Sequence, residues 1–371
     1  MKPPGATLGV LGGGQLGRML ALEARRMGYR TIALDPTVDG PAGQLCDELI
    51  VGSFSDVDAA VRLAERSTVV TLETEHIALP VLQAVEAIRP LYPGSAILGT
   101  IQDRLSQRRF LDTIGVPHTR YAEVTDAASL DAALARLGQP AILKTRREGY
   151  DGKGQVAIRD LQTLQAARAL LLQQPCILEA FVPFEREISC IAARSIDGHF
   201  AAYPIAENLH RNHILHTTIA PARVTAATAR TAEEVTRAIA EGLGFVGLLA
   251  VEFFVLPDGT LLVNEIAPRT HNSGHFTLGA CATSQFEQQA RCVMGLPLGE
   301  TILFTPAVMV NLLGDLWLDR TPNWELLLGL PNAHLHLYGK AEAKAGRKMG
   351  HLLLLGSDVD VSLRLAEEIV R

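Results

Sequence analysis

The sequence predicts a mixed fold, α/β in its N-terminal part and α+β in the remainder. Through the first 100 residues, short apolar strands alternate with amphipathic helices, a pattern typical of a doubly wound parallel sheet. Further along, Asp258-Gly259 separates two apolar runs at residues 248–256 and 261–266, which indicates an antiparallel hairpin. At 371 residues, the chain is long enough for two or three domains.

Composition excludes several functions. The net charge of −6 argues against a nucleic-acid-binding surface. The five cysteines are scattered and never in C-x-x-C spacing, which argues against a disulfide framework or a zinc site and favours a reducing compartment. No apolar run reaches the ~20 residues of a membrane span, and no signal peptide is visible. We therefore expect a cytoplasmic protein without nucleic-acid or membrane partners.

The first glycine-rich turn allows two interpretations. An apolar strand at residues 7–11 runs into Gly-Gly-Gly-Gln-Leu-Gly at residues 12–17, and a helix follows at residues 18–27. With Asp35 at the end of the next strand, this spacing fits the dinucleotide-binding fingerprint. Because any tight strand-to-helix turn needs such glycines, the turn could equally use its amides for another anion or small ligand.

Two acids and a histidine follow the apolar strand at residues 68–72. Glu73, Glu75 and His76 stand just past its carboxyl end, where open α/β sheets bind their ligands. Charges in a solvated loop are the alternative. Residues 90–99 carry two prolines and two glycines and predict the first domain boundary.

A second glycine-rich segment predicts a flap. The strand at residues 141–145 presents Lys144, and residues 146–155 then carry three glycines and Lys153 before another strand. Such a loop can close its amides and ammonium over phosphates. It does not fit the P-loop pattern. A plain glycine-rich hairpin is the alternative.

The central hairpin predicts a pair of facing glutamates. A turn centred on Asp258-Gly259 sets three opposed pairs: Leu256 with Leu261, Phe254 with Val263, and Glu252 with Glu265. The Cβ atoms of the glutamates would be roughly 5 Å apart. Since both faces of the hairpin are apolar, one interpretation is that the carboxylates share a proton or bind a cation such as Mg²⁺ beside Asn264. They could instead be solvated or paired with Arg269, and a slip of one residue would separate them.

Two donor-rich segments follow the hairpin. Residues 268–275 concentrate hydrogen-bond donors, among which Arg269 can hold a carboxylate, carbonate or phosphate. Residues 339–351 form a basic loop in an acidic protein, which favours an anionic group on a small molecule, a solvated loop being the alternative. His210 and His213 lack a third ligand for zinc and are expected to form hydrogen bonds.

Together these segments resemble the N5-carboxyaminoimidazole ribonucleotide synthetase family of the ATP-grasp superfamily. The resemblance spans the chain and lies in four motifs: GGGQLGRM at residues 12–19, GYDGKGQ at 149–155, NEIAPRTHNSGH at 264–275 and GRKMGH at 346–351. It implies ATP-grasp architecture with an N-terminal doubly wound parallel-sheet (pre-ATP-grasp) domain and a small C-terminal domain. The expected domains are residues 1–100, 101–300 (flap subdomain about 115–207) and 301–371.

The resemblance implies a reaction. ATP, bicarbonate and 5-aminoimidazole ribonucleotide (AIR) would give the N5-carboxylated ribonucleotide, ADP and phosphate in purine biosynthesis, by way of carboxyphosphate and with Mg²⁺ or Mn²⁺. Similar enzymes are dimers and use the first glycine turn for the second substrate. His271, Glu75 or the released phosphate could accept the proton of the AIR amine.

The resemblance also implies residue roles. Metal ligands would be Glu252 and Glu265, and catalytic residues Lys144, Arg269, His271 and Asn272, the last three facing bicarbonate. AIR would contact Gln15, Glu75, His76, Tyr150, Asp151 and Arg269, with Lys340 and Arg347 on its 5′-phosphate. Nucleotide contacts would be Arg104, Lys144, Gly149, Tyr150, Asp151, Gly152, Lys153, Gly154, Gln155, Glu179, Ala180, Phe181, Val182, Glu187, His210, Asn264 and Glu265.

Other functions compete with this one. A formate-dependent glycinamide ribonucleotide transformylase shares the architecture, and a biotin carboxylase shares the bicarbonate step. A dinucleotide-dependent oxidoreductase would use the first glycine turn but would leave the flap and the glutamate pair without a function. Within the family pattern, Leu72 replaces an expected aromatic residue and Lys344-Ala345 replaces Arg-Pro.

Overall fold

The N-terminal region is an open parallel sheet, as predicted. The computed structural model describes residues 1–147, 149, 153–318 and 322–370. Five strands lie in the order β3-β2-β1-β4-β5, all parallel. They are β1 (Thr7–Leu11), β2 (Arg30–Asp35), β3 (Glu48–Val51), β4 (Val69–Leu72) and β5 (Leu91–Tyr92), and the connecting helices are α1 (Gln15–Arg26), α2 (Val57–Arg66) and α3 (Leu79–Glu86).

The two faces of this sheet pack differently. On one face α2 and α3 cover an apolar cluster that includes Leu11, Leu34 and Leu63, each with no solvent exposure. On the other face, Leu8 and Val10 pack in a cluster that also contains Phe286 and Tyr338, from far along the chain. The second face therefore brings later segments of the chain against the glycine turn.

A small antiparallel sheet follows two linking helices. The linkers α4 (Ser95–Ile101) and α5 (Arg104–Thr113) begin within and just after the segment predicted as a boundary. The strands lie in the order β6-β9-β7-β8, with one helix after β6 and one after β8. They are β6 (Tyr121–Val124), β7 (Ala141–Thr145), β8 (Gln155–Ile158) and β9 (Cys176–Ala180), with α6 (Ala127–Leu137) and α7 (Leu161–Leu171). The predicted flap connects β7 to β8.

The remaining strands form one large sheet with nine strands among the described residues. Its main path runs β15-β14-β10-β12-β13-β16-β18-β17, with β11 paired to β10. The strands are β10 (Arg186–Arg194), β11 (Phe200–Ala202), β12 (Ala206–Arg211), β13 (Ile214–Ala220), β14 (Gly247–Val255), β15 (Leu261–Ala267), β16 (Ala307–Leu313), β17 (Ala333–Leu337) and β18 (Lys348–Leu355). Because β16, β17 and β18 extend the sheet that contains the hairpin, the C-terminal region is joined to it by main-chain hydrogen bonds.

Helices cover this sheet. They are α8 (Ala226–Gly242), α9 (Thr277–Ala280), α10 (Gln285–Met294), α11 (Asp315–Leu318), α12 (Trp324–Gly329) and α13 (Val359–Ile369). Ser284 caps α10 by accepting the backbone N–H of Glu287, and Cys281, which precedes it, is extended. Within the described ranges, no helix has the length and apolar character needed to cross a membrane.

Candidate active site

A cleft of about 780 Å³ collects most of the predicted site residues. It lies among the carboxyl end of the parallel sheet, the small sheet and the hairpin. Of the predicted residues, it is lined by Gln15, Glu75, His76, Arg104, Lys144, Lys153, Gln155, Phe181, Glu187, His210, Glu252, Asn264, Glu265, Arg269, His271 and Asn272. Gly149 lines an adjoining cavity that shares Arg104 and Glu265 with this one. The assignments to Tyr150, Asp151 and Gly152 lie outside the described residues.

The facing glutamates are present, but the predicted register around them is partly wrong. Glu252 pairs with Glu265 as predicted. Nearer the turn, however, the pairs are Val255 with Leu261, Phe254 with Leu262 and Phe253 with Val263. The loop is one residue longer than expected, since the Leu256 N–H donates to the carbonyl of Thr260 (2.9 Å). A β-bulge at Asn264 compensates for the extra residue and brings the glutamates back into opposition.

The surroundings of Glu252 fit a bound cation. Burial raises the pKa of its carboxyl to about 7; His210 opposes this, while Glu265 and Glu187 add to it. No cluster of three metal-ligating side chains occurs among residues the structure describes. Two carboxylates and a nearby amide, Asn264, suit a hard cation that takes its remaining oxygen ligands from phosphates.

A buried acid fixes Lys144. Glu179 accepts from Lys144 Nζ (2.6 Å) and from Arg108 Nη2 (2.7 Å), and its side chain is only 3% exposed. Burial would raise the pKa of Glu179, but the two cations lower it well below the usual range. Glu179 was predicted as a nucleotide contact, yet its carboxylate faces these cations and does not line the cleft.

Arg108 extends the same contact to the bulge. Its Nη2 donates to the carbonyl of Asn264 (2.7 Å) and its Nη1 to that of Val263 (3.3 Å). No local sequence pattern predicts a role for Arg108, because a helical arginine is ordinarily solvent-exposed, whereas this one is 2% exposed. A single ion-pair group therefore holds both the lysine and the strand that presents Glu265.

The base of the flap is tied to the start of α5. Arg146 binds both oxygens of Asp103, at 3.0 Å from Nε and 2.7 Å from Nη2. Arg104 Nη2 donates to the carbonyl of Gly149 (2.8 Å), and its Nη1 lies 3.9 Å from Glu265 Oε2. Arg104 thus stands between the flap and the glutamate pair.

Aromatic side chains form an apolar part of the cleft wall. Phe184 stacks on Phe254 with ring centroids 4.6 Å apart and an angle of 9° between the planes. Phe181, which was predicted, lines the same cleft, whereas Phe184 was not predicted. The sequence signal that could have indicated Phe184 is the presence of two aromatic residues in the short segment after β9, at positions 181 and 184. Both side chains are exposed in the structure.

Arg269 is paired with Glu75. Two nitrogens of its guanidinium donate to the two oxygens of Glu75, the Nη2–Oε1 distance being 2.9 Å. Burial would raise the pKa of Glu75, but Arg269 lowers it to about 2. The suggestion that Arg269 pairs with the hairpin glutamates is therefore wrong. The pair joins the parallel sheet to the segment after the hairpin.

His271 and Asn272 follow directly. Burial, reinforced by Arg269, lowers the pKa of His271 to about 3. Its Nε2 lies 3.6 Å from Glu252 Oε1. Both polar atoms of the Asn272 carboxamide are buried and have no hydrogen-bond partner within the described ranges. A desolvated amide without a partner beside a cleft is costly unless a ligand completes it.

The first glycine turn binds acidic side chains of the chain itself. The N–H of Gly13 donates to Asp35 Oδ2 (2.7 Å), and those of Gly14 and Gly17 donate to Glu73 (3.0 Å each). The φ of +105° at Gly12 also requires glycine, and a Cβ there would meet Glu73 at 2.5 Å. Because these amides are occupied within the chain, the dinucleotide interpretation, which needs them for a pyrophosphate, is wrong.

The basic loop lies at one side of the cleft. Lys340 Nζ donates to the carbonyl of Lys348 (2.6 Å) and stands 5.6 Å from the centre of the Tyr338 ring. Burial, followed by the nearby charge of Arg347, lowers the pKa of Lys340 to about 8. Arg347 Nη1 donates to the carbonyl of Glu342 (2.7 Å). Of this loop only Lys348 lines the cleft itself.

Each of the three regions of the chain matches a different protein-family domain. Residues 5–102 match the ribonucleotide synthetase preATP-grasp domain, residues 109–286 the ATP-grasp domain, and residues 307–364 the phosphoribosylaminoimidazole carboxylase C-terminal domain.

Individual relatives match over nearly their whole length. An N5-carboxyaminoimidazole ribonucleotide synthase of Brucella melitensis is 47% identical, the alignment covering 94% of this chain and 96% of that protein. The crystal structure of N5-carboxyaminoimidazole synthetase from Staphylococcus aureus with ADP has a TM-score of 0.94 at 37% identity, covering 100% and 98% of the two chains. The Aspergillus clavatus synthase in complex with ADP and AIR has a TM-score of 0.91 at 31% identity, covering 99% and 98%.

The three regions and the charged cleft between them define an ATP-grasp enzyme, an ATP-dependent carboxylating ligase. Within that class, the chain belongs to the N5-carboxyaminoimidazole ribonucleotide synthase family. The predicted fold class is confirmed, and so is the resemblance from which it was drawn.

We predict that Glu179→Gln destabilises the protein and weakens its use of ATP. Removing the charge leaves Arg108 and Lys144 buried against a neutral amide, a loss of about 3 kcal/mol. The Tm, measured calorimetrically, should fall by roughly 6–12 °C for a domain of this size, and the KM for ATP should rise. In the control Glu123→Gln, which breaks exposed pairs with Arg109 and Arg146, the expected loss is about 1 kcal/mol or less. Equal Tm shifts in the two variants would contradict the anchoring role.

Proposed function

We propose that the chain carboxylates AIR with bicarbonate at the expense of ATP, by way of carboxyphosphate, and that the cleft residues divide this work among them. One observation carries the proposal: a single cleft contains both a pair of facing carboxylates and a set of hydrogen-bond donors. The facing carboxylates Glu252 and Glu265 lie beside Arg269, His271 and the amide of Asn272, which has no hydrogen-bond partner in the described parts of the chain. Metal-bound phosphate and a small oxyanion are the ligands that these two sets suit.

ATP is assigned to the part of the cleft between the small sheet and the hairpin. Lys144, Lys153 and Arg104 supply positive charge for the phosphates. The aromatic wall of Phe181, Phe184 and Phe254 suits the flat face of a purine. The neighbouring backbone at Ala180 and Val182, the flap residues Gly154 and Gln155, and the pair Glu187–His210 remain proposed nucleotide contacts.

Glu252, Glu265 and Asn264 would hold the divalent cation, for which we propose Mg²⁺, with Mn²⁺ as a substitute. Burial raises the pKa of Glu252 and the neighbouring Glu265 raises it further, which supports a cation at this position. When bound, the ion would neutralise charge on the phosphates and orient them.

The proposed chemical steps are those that the family resemblance implies, with the cleft residues assigned to them. A bicarbonate oxygen attacks the γ-phosphorus, the bond to the β-phosphate oxygen breaks, and ADP and carboxyphosphate form. Carboxyphosphate then divides into CO₂ and phosphate. The amine nitrogen of AIR forms the new bond to the CO₂ carbon and releases one proton. His271, the Asn272 amide and Arg269 would orient bicarbonate, and closure of the flap would exclude water from the unstable intermediate.

AIR is assigned to the part of the cleft beside the parallel sheet. Gln15, Glu75 and His76 line it there, and Lys340 with Arg347 would attract the 5′-phosphate. Glu75 is a poor base, since both its oxygens are bound to Arg269 and its pKa is about 2.

Assembly and compartment are part of the proposal. The homodimer rests on the family resemblance. A cytoplasmic location is supported by the five cysteines, all of which are free thiols.

We predict that ADP formation requires both AIR and bicarbonate. A coupled assay for ADP, with each substrate varied separately, measures this. Formate in place of bicarbonate tests the transformylase alternative, and biotin in place of AIR tests the biotin carboxylase alternative. ADP release at the same rate with and without AIR would overturn the proposed reaction.

We predict that Glu252→Gln and Glu265→Gln each lower turnover by about 100-fold or more, because each removes half of the paired carboxylate site for the ion. The Mg²⁺ concentration that gives half-maximal activity should rise in both variants. Glu233→Gln, an exposed change on α8, is the matched control. Unchanged turnover in Glu265→Gln would favour a non-catalytic nucleotide sensor instead.

We predict that the KM for AIR rises between pH 7 and pH 9. Lys340 is charged below its pKa of about 8 and loses its charge above it, so attraction for the 5′-phosphate falls as the pH increases. At one unit above the pKa about a tenth of the lysines keep the proton, which allows a rise of up to about tenfold. In Lys340→Arg the charge persists and the KM should stay level. The same rise in both proteins would show that Lys340 is not responsible.

A further inference from the structure

The two nitrogens of the His271 ring meet different surroundings. Nε2 faces the cleft, 3.6 Å from Glu252 Oε1. Nδ1 faces away from the cleft and lies 2.9 Å from Ser273 Oγ. The backbone N–H of Ser273 also points at Nδ1, at 3.4 Å. At 3.4 Å this contact is longer than an ordinary hydrogen bond, so the closer Ser273 hydroxyl decides which ring nitrogen carries the proton.

A buried row of polar side chains continues behind Ser273. Ser189 Oγ lies 2.7 Å from Ser273 Oγ, Asn208 Nδ2 lies 3.0 Å from Ser189 Oγ, and Thr218 Oγ1 lies 3.0 Å from Asn208 Oδ1. Ser189, Asn208 and Thr218 stand on β10, β12 and β13, which are adjacent in the large sheet. Their exposures are 0%, 6% and 0%, and that of Ser273 is 0%, so the row is shielded from solvent.

The row has a direction, which Asn208 sets. A carboxamide oxygen only accepts, so the Thr218 hydroxyl must donate to it. The carboxamide nitrogen only donates, so Ser189 Oγ accepts from it and directs its own proton to Ser273 Oγ. Ser273 Oγ, which already accepts one proton, is then left to donate to His271 Nδ1.

We propose that this row fixes His271 as the tautomer with its proton on Nε2, and that Ser273, Ser189, Asn208 and Thr218 are positioning residues for the reaction. His271 then presents an N–H to the anion in the cleft. It offers no lone pair to the AIR amine and is therefore not the base. Since Glu75 is held by Arg269, the released phosphate remains, of the three candidates, as the acceptor of the amine proton. The inference rests on the proposed placement of bicarbonate beside His271.

A separate contact holds the His271 backbone. Gln285, with no solvent exposure, accepts from the His271 N–H (2.9 Å) and donates to the His271 carbonyl (2.8 Å). This clamp does not involve the row. A change within the row should therefore alter the tautomer without displacing the residue, which makes the two effects separable.

The test reverses the row with an isosteric change. When the new carboxyl of Asn208→Asp is ionised, both its oxygens accept, so the Ser189 proton turns toward the carboxylate, the Ser273 proton toward Ser189, and Nδ1 becomes the donor. In protein labelled with ¹⁵N at histidine, correlation spectra of the ring nitrogens distinguish the two tautomers, and the His271 signals are assigned by their loss in His271→Ala. We expect the Nε2–H pattern in the natural chain and the Nδ1–H pattern in Asn208→Asp.

Kinetics give a second readout. Loss of the Nε2–H donor should raise the KM for bicarbonate by about tenfold or more while leaving the KM for ATP unchanged, as for one hydrogen bond to a charged ligand. Asn311→Asp is the matched control, because Asn311 is 1% exposed and lies on β16 of the same sheet but outside the row. It should keep the Nε2–H pattern and the natural KM. If Asn208→Asp does not fold, Ser273→Ala serves instead and should give a mixture of tautomers, with a smaller rise that is again confined to the KM for bicarbonate.

The possible failures are distinguishable. An unchanged KM for bicarbonate in His271→Ala would overturn the proposed placement of bicarbonate. A raised KM in His271→Ala, together with the Nε2–H pattern retained in a folded Asn208→Asp or Ser273→Ala protein, would overturn the row alone. A tautomer change in Asn311→Asp would likewise overturn it.

Discussion

The constraint on which the site depends is the opposition of two carboxylates across β14 and β15. Burial raises the pKa of Glu252, and repulsion from the like charge of the directly opposed Glu265 adds to the cost. The bulge at Asn264 is what creates this opposition, because without it the longer turn would put the glutamates out of register. A sheet that maintains such a pair has a site prepared for positive charge.

Buried acids place the cations around that pair. Glu179 holds Lys144 and Arg108, and Glu75 holds Arg269. A buried ion pair contributes little net stability compared with apolar packing, but it fixes where each charge lies. Arg108 also binds the carbonyls at the bulge, so the lysine and the glutamate pair are positioned by one group. The charges in the cleft are thus oriented before any ligand arrives, which is how electrostatic catalysis avoids reorganisation during the reaction.

Hydrogen bonds fix the positions of uncharged groups in a similar way. Glu73 and Asp35 occupy the amides of the first glycine turn, so the turn serves to place Gln15 and the start of α1 beside the cleft. The row from Thr218 to Ser273 orients the ring of His271 from the opposite side. In both places a polar group that the sequence presents as a possible ligand contact instead forms hydrogen bonds with another part of the chain.

The sequence by itself determined the parallel sheet and the hairpin, because strand periodicity and turn chemistry are local. The opposition of Glu252 and Glu265 was predicted, but from a register that does not hold near the turn, and the bulge at Asn264 is what produces it. Its motifs also determined the family, since four motifs occurring in the same order along the chain are specific to one family. Only the tertiary structure decided the partners of Arg269, Lys144 and the glycine amides, which are Glu75, Glu179, and Glu73 with Asp35. It also decided the buried position of Arg108 and the direction of the hydrogen-bond row. These contacts join residues far apart in the chain, and no local pattern specifies which buried acid meets which cation.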